Sequence, residues 1–340
     1  MSERKYRRIV LASRPKGEPQ ETDFRMESLP VPVPGDGQAL LRTIYLSLDP
    51  YMRGRMSDGP SYATPVQIGE VITGQAVSEV VESKSPAVKA GDMVLSGAGW
   101  QEYIVADGAK LPKLDPSAAP VSTALGVLGM PGLTAYTGLW NIGQPKPGET
   151  VVVGAAAGAV GAVVGQLAKI WGCTAIGIAG GSEKCDYVVK ELGFDACLDH
   201  RSETLGAELK AACPKGIDIY FENVGGKVFQ AVLPLLNPFS RIPVCGLISS
   251  YNATELPPGP DQTPLLMRSI LTKRLTFRGF IVSDYASQQP DFIRDVSKWI
   301  REGKIKYRED VVDGIENTVS AFQGLLKGKN FGKLLVRMSR

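Results

Sequence analysis

The chain has 340 residues, with 38 lysines and arginines against 35 aspartates and glutamates, a formal net charge of +3, one histidine and five cysteines. That length exceeds one ordinary hydrophobic core and predicts two domains, while the dispersed basic residues exclude the concentrated electrostatic footprint of a nucleic-acid binder. No apolar run reaches bilayer-spanning length, and the opening MSERKYRR leads into a short strand instead of a signal-peptide core, so the expectation is a cytoplasmic protein with neither membrane nor nucleic-acid partner.

Over residues 1–125, short β-like segments recur at 8–11, 39–48, 71–81, 93–95 and 102–105, separated by Pro, Gly and Asp clusters such as residues 30–37. They predict a compact β-rich domain, expected to be a barrel. Within it LDPYMRG, residues 48–54, reads as a loop after an alternating strand, and Tyr62 follows in another Gly/Pro/Ser-rich stretch. Such loops carry function, but they are equally ordinary surface connections.

Residues 126–143, GVLGMPGLTAYTGLWNIG, lead into a second domain, with a helix predicted over 134–140 and a turn at 144–148. The stretch that organises the chain comes next, at residues 151–184. A β-branched, uncharged run ending at Gly154 reads as a strand buried on both faces of a parallel sheet. Small residues then give way to a helix through Val164, Leu167, Ala168 and Trp171, closed by Gly172 at a left-handed C-cap, and a second apolar strand covers 174–178. Ala155, Gly158 and Gly161 form an A-x-x-G-x-x-G variant of the dinucleotide fingerprint. Such a turn lets the backbone approach a pyrophosphate, whose charge the helix N-terminus stabilises.

The end of the second strand decides between nicotinamide cofactors. An NAD site usually places Asp or Glu there for the ribose 2′-hydroxyl. This chain has Gly180 and Gly181, then Ser182, Glu183 and Lys184. A hydroxyl and an ammonium suit a 2′-phosphate, which favours NADPH, with Glu183 still placed to serve a ribose hydroxyl. A helix over 183–192, a strand at 196–198 and the polar tail Asp199, His200, Arg201 follow. The tail is placed to approach the adenosine end, and His200 reads as a partly exposed loop residue rather than a catalytic base.

The α/β alternation continues with a strand at 217–221, a helix over 227–236, strands beginning at 241 and spanning 275–282, and a helix over 291–302. Residues 246–252 are small and polar where parallel sheets gather ligands, outside the carboxyl ends of the strands. Val311, Val312 and residues 333–336 read as strands returning to the β-rich domain, so the nucleotide domain (126–310) is expected as an insertion in the other (1–125 and 311–340), with the active site in the cleft between them. The cysteines, Cys173, Cys185, Cys197, Cys213 and Cys245, lack any C-x-x-C pair and are expected as reduced, mostly buried thiols. A single histidine makes an ordinary zinc site a poor expectation.

The motifs LDPYMRG, GMPGLTAY, AAAGAVG, GSEK, ENVGG, CGLISSYN, GF at Gly279 and GKNFGK together give a chain that resembles the zinc-independent medium-chain dehydrogenase/reductases, in the group of prostaglandin, alkenal and curcumin reductases. The resemblance covers almost the whole chain. It implies a GroES-like catalytic domain, a Rossmann domain (a doubly wound parallel sheet), NADPH and a homodimer. Zinc relatives carry a cysteine and a Gly-His-Glu where this chain has Asp49-Pro-Tyr51 and Ile68-Gly-Glu70, so both ligand positions are changed.

By motif, the resemblance implies a pyrophosphate turn at Ala157, Gly158, Ala159 and Val160, with Ser182 and Lys184 at the 2′-phosphate and Asn223 at the ribose. Thr134, Cys245, Gly246, Leu247, Ile248, Ser249, Ser250, Tyr251, Phe280, Ile281, Val282 and Asn330 are its further implied cofactor contacts. Where relatives carry an Asn-Tyr-Lys run, this chain has Asp199-His200-Arg201, and His200 or Arg201 becomes a candidate phosphate ligand.

The implied reaction is hydride transfer from nicotinamide C4 to the β-carbon of an α,β-unsaturated ketone or aldehyde, followed by protonation of the enolate. The cofactor carries the chemistry, and the protein supplies alignment and a donor to the developing enolate oxygen. A tyrosine phenol, ordinary pKa about 10, keeps its proton at neutral pH and suits that donor role. Tyr251 is the first candidate, either in delivering the proton or in ordering the ribose, and Tyr51 and Tyr62 are next. Packing with a satisfied hydroxyl is the ordinary alternative for each of the eleven tyrosines. A quinone reductase and a catalytically idle NADPH-binding protein are the competing functions.

Overall fold

A computed structural model describes residues 4–257 and 259–338. In chain order the strands are β1 (Lys5–Leu11), β2 (Phe24–Pro30), β3 (Gln38–Ser47), β4 (Ala76–Ser83), β5 (Met93–Ser96), β6 (Tyr103–Asp107), β7 (Lys113–Leu114), β8 (Thr150–Gly154), β9 (Thr174–Ala179), β10 (Ala196–Asp199), β11 (Ile217–Phe221), β12 (Leu236–Val244), β13 (Thr276–Gly279), β14 (Glu309–Asp313) and β15 (Lys333–Arg337). The α-helices are α1 (Tyr51–Arg55), α2 (Met130–Gly138), α3 (Gly161–Ile170), α4 (Ser182–Lys190), α5 (Leu205–Ala212), α6 (Gly226–Val232), α7 (Thr263–Lys273), α8 (Gln289–Arg301) and α9 (Thr318–Leu326). Two compact units result: residues 127–308, and the N-terminal segment to Gly126 with the C-terminal segment from Glu309.

The first unit is built on β3. One edge pairs with β4, while the other is shared, residues 38–42 with β6 and residues 45–47 with β15. The resulting seven-stranded sheet therefore branches at β3, and β1 with β2 forms a separate antiparallel pair, so the expected barrel appears as this branched sheet beside a two-stranded one. Its core centres on Trp100, fully buried, stacked on Phe24 at 5.6 Å and edge-on to Phe322 of α9 at 5.4 Å.

The second unit is a parallel six-stranded sheet in the order β10-β9-β8-β11-β12-β13. This is the doubly wound Rossmann order, with its topological switch between β8 and β11. All five residues of β8 are buried, and each such valine contributes about 1.5–3 kcal/mol relative to exposure. Helix α3 packs close to the connection between α4 and β10 because Gly165 has no side chain: a methyl there would collide with the Phe194 ring. No helix among the described residues is long and apolar enough to cross a membrane.

Several local expectations change. LDPYMRG is not a loop but enters the short helix α1, which is held because Met52, Arg53 and Met56 are buried beneath it. The strand expected over 275–282 ends at Gly279, and the chain turns into a 3₁₀ segment from Val282. The helix expected over 227–236 stops at Val232, where Pro234 tightens the chain into a 3₁₀ turn. β2, β7, α5, α7 and α9 have no counterpart among the expected segments.

Candidate active site

The turn after β8 is a backbone device. Ala155 has φ +53, a left-handed conformation that costs an L-residue about 1–2 kcal/mol. Its carbonyl accepts from Gly158 N at 2.9 Å, and a methyl at Gly161 would collide with the same carbonyl. Glycine at 158 and 161 thus lets the turn close immediately ahead of α3, whose N-terminal N–H groups face outward from the carboxyl end of β8. Ala157 is buried, whereas Gly158, Ala159 and Val160 are partly exposed at the rim.

The neighbouring end of β9 is basic. Parallel pairing sets Asp199 beside Ala179, and His200 N donates to Ala179 O at 2.9 Å. This register brings His200 and Arg201 over two glycines: a methyl at Gly180 would lie 3.0 Å from His200 Nε2 and 3.4 Å from Arg201 Nη2, and one at Gly181 3.3 Å from Arg201 Nη1. Lys184 lies in the first turn of α4 beside them and contributes to the electrostatics at His200. Burial holds the His200 pKa below its ordinary 6.5, against the raising effect of Asp199. Burial pushes the Asp199 carboxyl up, but N–H groups of Arg201 and Gly181 outweigh it, leaving a lowered pKa. Asp199 therefore stays ionised and holds the turn, while the cations of Lys184 and Arg201 stand beside it. Ser182 is exposed at the start of α4.

Across the switch point, Asn223 Nδ2 donates to Gly154 O at 2.9 Å and pins the loop after β11 to the end of β8. Glu222, only 2% exposed, positions this loop: its Oε1 accepts from Tyr220 Oη (2.9 Å), Val224 N (2.7 Å) and Gly225 N (2.8 Å), while its buried Oε2 has no partner. Burial raises the Glu222 pKa despite those donors. Cys245 N and Gly246 N both donate to Glu222 O, so the loop after β12 is tied to it as well. Burial, helped by the Glu222 charge, pushes the Cys245 thiol up to about 12.

In that second loop Ile248–Ser250 forms a 3₁₀ turn carrying exposed Ser249 and Ser250, and Leu247 is 43% exposed. The Tyr251 hydroxyl folds back over Gly246, where a methyl would meet it at 2.9 Å, and accepts from Leu247 N at 3.4 Å. Phe280 is buried edge-on to Phe221 at 6.2 Å, with Ile281 and Val282 partly exposed beyond it. Thr134 commits its hydroxyl to Met130 O at 2.8 Å.

In the other unit Tyr51 opens α1, and burial, then the charges of Asp49 and Tyr62, raise its pKa well above 10. Tyr62 is 65% exposed and close enough to act on Tyr51 electrostatically, so these two candidates are neighbours. The helix is anchored by Arg53, donating to Gly17 O at 2.8 Å, and by an unforeseen ion pair, Lys333 Nζ to Asp49 Oδ1 at 2.6 Å, with side chains 4% and 8% exposed. Single charges set among Leu48 and the run Leu334-Leu335-Val336 are the sequence signal for such a pair. Asn330 donates to Gly332 O at 2.8 Å. All five cysteines are free, but only Cys173 and Cys213 are buried; the mostly buried set expected from their apolar flanks fails because Cys185 sits on the face of α4, Cys197 on the edge strand β10 and Cys245 just past the end of β12.

Two family models match, an N-terminal domain of oxidoreductase over residues 7–114 and a zinc-binding dehydrogenase over 159–301. NADPH-dependent curcumin reductase of Escherichia coli is 59% identical over 98% of this chain and 97% of its own. Prostaglandin reductase 1 of Oryctolagus cuniculus is 43% identical over 93% of this chain and 89% of its own. The chain belongs to the medium-chain dehydrogenase/reductases, in the group of curcumin, prostaglandin and alkenal reductases. Among solved structures, CurA of Vibrio vulnificus in complex with NADPH matches this medium-chain reductase with a TM-score of 0.95 and 53% identity, over 98% of this chain and 99% of that one. The second family model bears zinc in its name, yet among the described residues of this reductase no three His, Cys, Asp or Glu side chains converge as metal ligands.

Proposed function

We propose that the protein reduces the C=C bond of α,β-unsaturated ketones and aldehydes with NADPH. The observation that carries the cofactor is the end of β9, where His200 and Arg201 lie over Gly180 and Gly181 and Lys184 follows in the first turn of α4, in place of the ribose-binding acid of an NAD site. The substrate class rests on the relatives, one named for NADPH-dependent curcumin reduction and another as an NADP(+)-dependent 2-alkenal reductase. The fit of the cofactor is steric as well as electrostatic, since a side chain at Gly180 or Gly181 would fill the space beside the guanidinium.

Bound there, NADPH supplies the hydride. The chain's own groups then manage charge and protons. Burial and Asp49 keep the Tyr51 phenol protonated, so it donates to the substrate carbonyl oxygen as negative charge develops, where a fixed donor lowers the barrier most. Tyr62 assists in binding the same oxygen. Tyr251, closing over Gly246, orders the nicotinamide ribose and is the first candidate for proton delivery to the α-carbon. Glu222 keeps the two loops in register through the backbone donors it accepts, and Asn223 shapes the ribose pocket.

The reading includes a cytoplasmic homodimer. Support for self-association comes from β13, an edge strand with exposed residues, beside α7 with exposed Leu265, Met267 and Leu271; light scattering on a size-exclusion column tests it.

Steady-state oxidation of NADPH and NADH across enals, enones and a quinone, with products identified by mass spectrometry, tests the reaction. Saturated carbonyl product with NADPH preferred is expected. Quinol formation alone, or tight NADPH binding without turnover, would overturn it. Tyr251→Phe with unchanged turnover and cofactor affinity would remove Tyr251 from the site.

A further inference from the structure

Cys185 and Cys197 lie outside every role assigned above. Cys197 on β10 pairs with Gly177 of β9 in the parallel register, and a methyl on that glycine would lie 3.1 Å from the Cys197 sulfur and 3.0 Å from Val188 Cγ1 of α4. The missing side chain is the space the thiol uses. Val188 is the buried residue of α4, and Cys185, three positions earlier, shares its face. The two thiols meet under the helix, with Cys197 S–H donating to the Cys185 sulfur, and both residues remain part-exposed.

We propose that Cys185 and Cys197 form a site of reversible oxidative modification, at which a peroxide converts the thiol pair to a disulfide and weakens the phosphate end of the cofactor site. Burial raises the pKa of both thiols, but their mutual hydrogen bond lowers that of Cys185 and raises that of Cys197, which makes Cys185 the attacking sulfur. As thiolate it takes one peroxide oxygen to become a sulfenic acid, the other oxygen leaving as water after protonation. The Cys197 sulfur then attacks that sulfur, expelling the hydroxyl as a second water; two thiols lose two electrons and the peroxide gains them.

The consequence for the cofactor follows from what each cysteine is joined to. Cys185 succeeds Lys184 in the chain, and its N–H donates to Gly181 O at 3.2 Å. Cys197 stands two residues before Asp199, whose carboxylate holds the N–H groups of Arg201 and Gly181. A disulfide shortens a thiol contact of up to about 4 Å to about 2.05 Å, a change shared between χ1 rotation of the two cysteines and a shift of the first turn of α4 toward β10. That displacement moves Lys184 relative to Arg201, and charge-assisted contacts to one phosphate tolerate little misplacement.

The loss of affinity rests on the NADPH reading; the disulfide does not. The reduced full-length protein is titrated with hydrogen peroxide, quenched, and digested without reductant for peptide mapping, and NADPH and NADH binding are measured before and after by fluorescence. Expected are a linked Cys185–Cys197 peptide, an NADPH Kd raised roughly tenfold or more with NADH little changed, and recovery with dithiothreitol. Cys185→Ser and Cys197→Ser should each abolish the linked peptide and keep NADPH affinity under peroxide. Other cysteines reacting first, sulfinic acid at Cys185 instead of a linked peptide, a linked peptide with unchanged NADPH affinity, or equal weakening in Cys185→Ser would each overturn the proposal. A reduced protein that fails to prefer NADPH strikes the cofactor reading instead, and the linked peptide is read without any nucleotide.

Discussion

Replacing Lys333 by Met tests whether the buried ion pair under α1 is structural. Lys333 Nζ donates to Asp49 Oδ1 at 2.6 Å and to Leu48 O at 2.9 Å, and Ser47 Oγ donates to the other oxygen of Asp49. With side chains 4% and 8% exposed, neither charge has solvent to fall back on. Methionine fills a similar volume, so the packing term is small and the cost is that of an unpaired buried carboxylate, about 3–5 kcal/mol. The control is Lys190→Ala on α4, whose pair with Asp186 is 69% and 64% exposed and is worth about 0–1 kcal/mol. Hydrogen exchange of β15 and α1 amides reads the opening free energy of that unit directly. In the double variant Lys333→Met/Asp49→Asn much of the loss should return, giving a coupling energy of at least about 2 kcal/mol. A loss in Lys333→Met no larger than in the control, or additivity in the double variant, would refute the reasoning.

Arg201→Ala should raise the KM for NADPH roughly tenfold, the lower end for a charge-assisted contact because the guanidinium is exposed, while leaving that for NADH unchanged; parallel kinetics with the two cofactors decide it. Ala155→Gly should raise stability by up to about 1 kcal/mol in thermal unfolding, because φ is +53 there, whereas the same exchange in ordinary helix costs about 0.5–1 kcal/mol. Glu222→Gln keeps the acceptor at Oε1 and removes a charge whose folded pKa burial raises above the ordinary 4.5. Wild type therefore binds its proton more readily when folded, and its stability relative to the variant should fall as pH rises through 4.5 to the raised value; a gap independent of pH between 4 and 8 would contradict this.

The turn after β8 was legible in the sequence because its signal is local. An uncharged β-branched run, small residues at fixed offsets and a second apolar strand leave little choice of structure, and the strand at Ile217–Phe221 was read to the residue for the same reason. Elements held by distant partners were not. β2 carries Arg25 and Glu27 and has only Phe24 buried, so its strand character comes from pairing with β1. α7 has no fully buried residue and packs on the core only through partly buried residues such as Ile270, so its apolar stripe is too weak to mark it in sequence. α1 looked like a loop because Pro50 and Gly54 bracket it, and its helical turn is imposed by anchors such as the Gly17 carbonyl, 36 residues away.

At the end of β9, motif and geometry act together. In sequence, Gly180-Gly181 and His200-Arg201 are 20 residues apart, and the second pair stands where the family motif has other residues. The parallel register Ala179↔Asp199 turns that separation into adjacency, and the glycines then matter for what they omit, since any side chain would occupy the space beside the guanidinium. The same parallel pairing, two residues earlier, places Cys197 over Gly177, the bare position that lets it reach Cys185. One strand pairing therefore positions both the cationic group at the end of β9 and the thiol pair beneath it. Gly177→Ala, by putting a methyl 3.1 Å from the Cys197 sulfur and 2.8 Å from Ala156 Cβ, should disturb both together, whereas Arg201→Ala should touch only the first.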